Sequence, residues 1–454
     1  MVTIDSTTFD GLLKHLTVTE TSLPDTPVDA PVISGRRLLD RLAALAEIGA
    51  IDGTTGSSRL AFTDADGAGR DLVVSWMDDL GLDVTTDGIG NVVGCWRPKG
   101  CDPALSPVMT GSHIDTVATG GRYDGNLGVL AGLEVIETLT SAGVIPHRPL
   151  AVAFFSNEEG SRFAPDMMGS LTYVGGLGLE DALATVGIDG AVVADELDRI
   201  GYRGGAPCPG LVPHAFVELH IEQGPVLERE AIRIGVVEGV QGISWSEITI
   251  KGQANHAGTT PMALRRDAAY AAARVATFTR DLATDLGPPQ VATVGALRLH
   301  PNLVNVVAEA ATLTVDLRNT DDDVLGEAER RLLAHLDRIS ADEGVAITAR
   351  SLARFAPVSF DPTIVELIET TAAGLGHSTM RLPSGAGHDA QMLARVCPAA
   401  MIFTPSHRGI SHNPAEHTDP DDLEAGANVL ASVLLALASA PAIGNDGAAG
   451  EEAP

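Results

Sequence analysis

Positive charge is scarce in this chain: 30 Lys and Arg stand against 60 Asp and Glu, for a formal net charge of −30. That balance argues against nucleic acid and against an acidic membrane surface as partners, and it keeps the surface soluble. Cysteine is scarce too. Cys95, Cys101, Cys208 and Cys397 are scattered without C-x-x-C spacing. Neither a disulfide framework nor a thiolate zinc site is expected, and reduced thiols in a cytoplasmic protein are. The first residues lack a basic segment leading into an apolar one, so no secretory signal is expected. No apolar run reads as membrane-spanning, and no internal repeat is visible.

What is present fits a large folded chain. Hydrophobic residues make up 44% of 454, enough for sizeable cores, and the length favours two domains. Residues 1–33 read as a flexible N-terminal arm, and 441–454 as a disordered tail of low complexity. Between them, RRLLDRLAALAEIG and RDLVVSWMDDLGLD have helical spacing, while NVVGCW and SPVMTGSH read as strands. LGVLAGLEVIETLTSAG reads as a helix stopped at Gly143, and RPLAVAFFSNEEG as a buried strand running into a polar turn. This alternation predicts an α/β domain with a mostly parallel sheet, in which sites form where strands end.

The rhythm changes in the middle. ISWSEITIKG (243–252) alternates like an antiparallel strand. A helix is expected from Met262 to Leu286, then strands QVATVGALRL and AATLTVDLRN, a helix from DDVLGEAERR onward, and a last strand VAITARSLARF. The order β-α-β-β-α-β suits a small open sheet with two helices on one face. Residues 34–241 and 355–440 are therefore expected to form one α/β domain, with 242–354 inserted as a smaller one.

Five short stretches at expected element ends carry possible metal ligands. They are His113 and Asp115 in GSHID, Asp124 in GRYDG, Glu158 and Glu159 in SNEEG, His220 and Glu222 in ELHIEQGP, and His412 in GISHNPAEH. Imidazole with carboxylate suits zinc, manganese, cobalt or nickel. Two metals would need one bridging carboxylate and a base that is not itself a ligand, work that adjacent Glu158 and Glu159 could divide. Taken singly, each stretch has a plainer explanation as a turn or a solvated pair. Their recurrence at the expected ends of α/β elements is what points to a metal site. Which of His407, His412 and His417 would serve stays open on spacing alone. His300, His335 and His377 are expected on the surface.

GSHIDTVATGGRYDGNLGV, FFSNEEGSRF, ELHIEQGPVLE, GQANHAGTTPM, PNLVNVV, DLRN, SGAGHDAQMLA and GISHNPAEHT come in one order across residues 35–440. In this the chain resembles the hydantoinase/carbamoylase family, dinuclear-metal amidohydrolases of the aminoacylase and carboxypeptidase superfamily. The resemblance implies two divalent ions (Zn, Mn, Co or Ni), one on His113, Asp124 and His220, the other on Asp124, Glu159 and His412, with Asp124 bridging. It implies Glu158 as general base, Asp115 orienting the His113 ring, and His256 reaching the partner subunit's site to hold the oxyanion. Gln223, Asn305, Arg318, Gly387 and His388 would line the substrate pocket, with Arg318 as carboxylate clamp. A local pairing of Arg318 with a neighbouring Asp is its plainer alternative. His220, where peptidase-like relatives carry a carboxylate, favours the carbamoylase branch. The implied substrate is an N-carbamoyl-L-amino acid, with allantoate and N-carbamoyl-β-alanine as rivals, in a cytoplasmic homodimer built through the inserted lid. A binding protein without catalysis is the rival from another class, and an intact Glu158 counts against it.

Overall fold

The computed structural model describes residues 30–439. The expected tail 441–454 and all but the last few residues of the expected arm lie outside the described residues. A nine-stranded sheet and a four-stranded sheet carry the architecture, with a two-stranded ladder beside the smaller one.

The centre of the large sheet is four strands in parallel: Leu150–Phe155, Val108–His113, Ala215–Ile221 and Ala399–Thr404. Every residue in them is buried. A strand covered on both faces has no reason to alternate, which explains the continuous apolar runs. Helices supply the cover, among them Asn126–Ala142 and Pro420–Ser439, which pack together over these strands. The flanks are mostly antiparallel, with Thr379–Ser384 pairing parallel to Ile234–Val240 as the exception. Val92–Trp96 pairs antiparallel with Leu150–Phe155, and Ile234–Val240 antiparallel with Ala399–Thr404.

Pro420–Ser439 corrects one expectation. It is long and apolar enough to cross a membrane, yet 78% of its apolar window is buried inside the protein. It is a core helix in which every residue from Val429 to Ala438 is buried, so its second half carries no solvent-facing polar stripe.

The four-stranded sheet has the order Ala346–Phe355, Gly242–Lys251, Ala310–Asn319, Val291–His300, antiparallel throughout. Ala310–Asn319 buries every second residue, the signature of a sheet with one covered face. Helices Ala268–Leu286 and Asp322–Glu343 cover that face, and Ile248, Leu313, Val315, Leu325 and Ile339 form an apolar cluster separate from the main core. The first of these helices starts later than expected. Met262–Leu264 is a single 3-10 turn, and Asp267 then caps the helix by accepting from Ala269 N at 2.9 Å and Tyr270 N at 3.2 Å. Apolar spacing continued through the turn, while the cap set the true boundary. His335, expected on the surface, lies half-buried in a stack on Phe278 with ring centres 3.9 Å apart.

Candidate metal centre and active site

Strand ends place the donor groups. His113 closes its strand, and His220 sits one residue before the end of the neighbouring parallel strand. Their rings lie 6.1 Å apart. His113 Nδ1 donates to the carbonyl of Asp115 at 2.9 Å, and His220 Nδ1 to that of Ile221 at 2.8 Å. An imidazole whose Nδ1 carries the proton keeps its lone pair on Nε2. Both Nε2 atoms face Asp124 Oδ1, at 3.7 Å from His113 and 3.2 Å from His220.

Asp124 divides its oxygens. Oδ2 lies 3.4 Å from His412 Nε2 and accepts from Gln223 Nε2 and Ser411 Oγ, each at 2.9 Å. Glu159 Oε2 is 3.2 Å from the same His412 nitrogen. Two donor sets result, His113–Asp124–His220 and Asp124–Glu159–His412, each with its ligand atoms within 4.8 Å of one another. Glu158 belongs to neither, but its Oε2 lies 3.4 Å from His113 Nε2. Gly125 shows why glycine surrounds these groups. Its φ is +67°, and a Cβ there would stand 2.4 Å from His113 Nε2 and 2.5 Å from its two neighbouring ring carbons, so only glycine lets the backbone lie against the face of that imidazole.

The electrostatics describe a pocket short of positive charge. Burial pushes Glu158 well above the ordinary carboxylate range and lifts Glu159 to about 8. Burial also raises Asp124, but His113, His220 and His412, when protonated at the nitrogens that face it, hold it well below that range. The bond to Asp124 carries His412 up to about 9. Two metal-ready imidazoles, one carboxylate shared between two sets and crowded buried acids fit divalent cations by donor chemistry and by charge.

These groups line a cavity of about 110 Å³ together with Asp166, Gln223, Gly387 and His388. His388 is buried, its Nε2 2.8 Å from Ser384 Oγ and its ring 4.6 Å from that of His220. Asn157, Gln223 and His412 all hold left-handed backbone, with φ between +53° and +57°. Non-glycine residues in that region store strain of about 1–3 kcal/mol each, and they concentrate at functional sites.

Peptidase family M20/M25/M40 matches residues 109–436. The chain belongs to this family. An N-carbamoyl-L-amino-acid amidohydrolase of Rhizobium meliloti is 41% identical over 89% of this chain and 97% of its own length. A ureidoglycolate hydrolase of Oryza sativa subsp. japonica is 32% identical over 88% of this chain and 84% of its own length. The crystal structure of a hydantoinase/carbamoylase family amidase from Burkholderia multivorans superposes with a TM-score of 0.88 at 45% identity, covering 90% of this chain and 99% of that one. The chain is a hydrolase acting on carbon–nitrogen bonds, and its resemblance to the hydantoinase/carbamoylase branch of the M20 family holds over almost its whole described length.

Within this M20 hydrolase, three expected residues stand away from the cavity. His256 is exposed on the short strand Asn255–His256, which pairs with Val306–Val307. Asn305 precedes that partner strand and accepts from Ala257 N at 2.9 Å through its backbone carbonyl. Arg318 spends its fork on Asp316, with Nη2 at 2.9 Å from Oδ2, and its Nη1 donates to Gly385 O at 2.6 Å. That is the local pairing raised as its alternative, with an added link from the smaller sheet to the loop before Gly387.

Two further details depart from expectation. The Asp115 carboxylate is 3.9 Å from the His113 ring, whose orientation is set by the Asp115 backbone carbonyl instead. The carboxylate accepts from the amides of Glu158 at 3.2 Å and Glu159 at 3.4 Å, fixing the turn that presents both acids. Glu222 is no ligand either, since it accepts from Val226 N and Leu227 N at 2.8 Å and so caps a short helix. Sequence reasoning missed Glu416. Buried, it accepts from Tyr123 N at 2.9 Å and Asp124 N at 3.2 Å, and Ser411 Oγ lies 3.1 Å from its other oxygen. The only available signal was a carboxylate four residues after His412. Of the three clustered histidines, His412 faces the site, while His407 pairs with Glu228 at 2.7 Å and His417 meets the Tyr123 ring edge-on.

Proposed function

We propose that this chain hydrolyses the ureido carbon–nitrogen bond of N-carbamoyl-L-amino acids at a pair of divalent ions (Zn, Mn, Co or Ni). Water adds to the ureido carbonyl, the bond to the amino-acid nitrogen breaks, and the free amino acid leaves with carbamic acid, which falls to carbon dioxide and ammonia. The observation that carries the reading is the division of Asp124 between two donor sets, with Glu158 beside them and outside both. Similarity to the N-carbamoyl-L-amino-acid amidohydrolase of Rhizobium meliloti supports the substrate class.

Ions held by His113, Asp124 and His220 and by Asp124, Glu159 and His412 would polarise the carbonyl and acidify the attacking water. Glu158 takes the proton from that water and returns it to the leaving nitrogen. Burial disfavours the charged form of Glu158, which suits a carboxylate that must take up a proton and pass it on. Asp115 and Glu416 hold backbone, keeping the Glu158 turn and the Asp124 loop in place. Residues 242–354 act as a lid and dimerisation unit in this reading. Met262, Leu264, Leu303 and Val304, all exposed in the segments around His256, suit a second copy of the chain.

The test is a panel of N-carbamoyl-L-amino acids, N-carbamoyl-β-alanine, allantoate and ureidoglycolate, each assayed with added Mn, Co, Ni or Zn. Highest kcat/KM on an N-carbamoyl-L-amino acid supports the reading, and preference for ureidoglycolate would move it toward the rice relative. Elemental analysis is expected to give two divalent ions per chain, with activity lost in chelator and restored by metal. Full activity in chelator, with no transition metal bound, would remove the metal pair. Arg318→Lys is expected to raise KM for carboxylate substrates about ten- to a hundredfold, the worth of a hydrogen bond to a charged group. An unchanged ratio between carboxylate and amide-capped substrates would leave Arg318 to Asp316 alone.

A further inference from the structure

One charge in the cavity has no part in the chemistry above. Asp166 lines the same pocket as Glu158, Glu159, Gly387 and His388, and it sits exposed at the rim. Its loop is pinned to the catalytic turn. Asn157 Nδ2 donates to the carbonyls of Phe163 at 2.8 Å and Pro165 at 3.2 Å, and the Met167 amide donates to the Glu158 carbonyl at 2.7 Å. Gly160, at φ +63°, lies so close that a Cβ there would stand 2.7 Å from Asp166 Cα. The backbone under Asp166 is therefore fixed relative to Glu158.

No positively charged side chain pairs with Asp166 among the described residues. Arg318 is the guanidinium whose field reaches it. Neither lysine nor arginine lines the cavity. In the proposed reading Arg318 offsets the substrate's own α-carboxylate, while a second carboxylate on the side chain would find Asp166 beside it and no lysine or arginine in the cavity lining. We propose that Asp166 selects substrates by side-chain charge, turning away an anionic side chain and favouring a neutral or cationic one. This rests on the N-carbamoyl amino acid reading and adds a specificity that reading does not contain. Like charges several ångströms apart in a partly solvated pocket change relative rates by about tenfold.

The experiment compares wild type with Asp166→Asn, which keeps the shape and removes the charge. N-carbamoyl-L-glutamate, N-carbamoyl-L-methionine and N-carbamoyl-L-arginine are assayed at pH 8 and low salt, each variant normalised to its own methionine substrate. The glutamate-to-methionine ratio of kcat/KM is expected to rise about tenfold and the arginine-to-methionine ratio to fall several-fold, both shifts shrinking at high salt. A second arm titrates free L-glutamate, L-methionine and L-arginine calorimetrically into both proteins and expects the same reordering. Wild type inert on every N-carbamoyl amino acid would fail the functional reading, and the binding arm then decides the role of Asp166. Ratios within twofold of wild type in both arms overturn the proposal.

Discussion

Glu158→Gln is expected to keep the fold and bound metal and to lose about a hundred- to ten-thousandfold in kcat, the usual range for removing a general base. The geometry separates this residue from its neighbour. Glu159 shares a donor set with Asp124 and His412, while Glu158 belongs to no set and faces His113 at 3.4 Å. Glutamine keeps the length and the planar end group but cannot take a proton from water. Stability should not suffer, because the ionised form of Glu158 is disfavoured by burial and the amide removes that penalty. Metal content of the variant is the necessary control. Unchanged metal with activity within tenfold of wild type would show that Glu158 is not the base. Glu159→Gln is expected to differ by losing metal together with activity.

How far the site was legible in the sequence depends on the kind of interaction. His113 and His220 could be placed because buried parallel strands leave continuous apolar runs, and a polar residue at the end of such a run sits at the mouth of the sheet. Asp124 and His412 could not be placed that way, since they lie in loops whose course is set by distant partners. Glu416 holds the Asp124 loop across nearly three hundred residues of chain, and no local pattern marks it. The Asp115 carboxylate lies 3.9 Å from the His113 ring and has a second task that local spacing could not show. Spacing put it beside His113, and the folded chain also turns it onto the Glu158 and Glu159 amides. The late start of helix Ala268–Leu286 and the apolar length of Pro420–Ser439 show the same limit. Periodicity reports which face is buried, and caps and surroundings decide where an element begins and what it is buried in.

Heterodimers made from His256→Ala and Glu158→Gln chains are expected to regain activity that neither parent has. His256 Nδ1 accepts from Gly258 N at 3.1 Å and Thr259 N at 3.2 Å, which leaves the ring proton on Nε2. That is the tautomer an oxyanion donor requires, yet the side chain is exposed and lies outside the cavity that holds Glu158. Loss of one such donor costs about a hundred- to a thousandfold in kcat, so His256→Ala alone should be nearly inactive. If a neighbouring copy supplies His256, each mixed dimer holds one site with Glu158 and His256 both intact and one with neither. Random reassortment makes half the dimers mixed, so about a quarter of wild-type activity should return in a two-fold symmetric assembly. Subunit exchange is checked separately by mass-tagged chains. Exchange without recovered activity would place His256 in its own chain's site, reached by movement of the smaller sheet, or outside catalysis altogether.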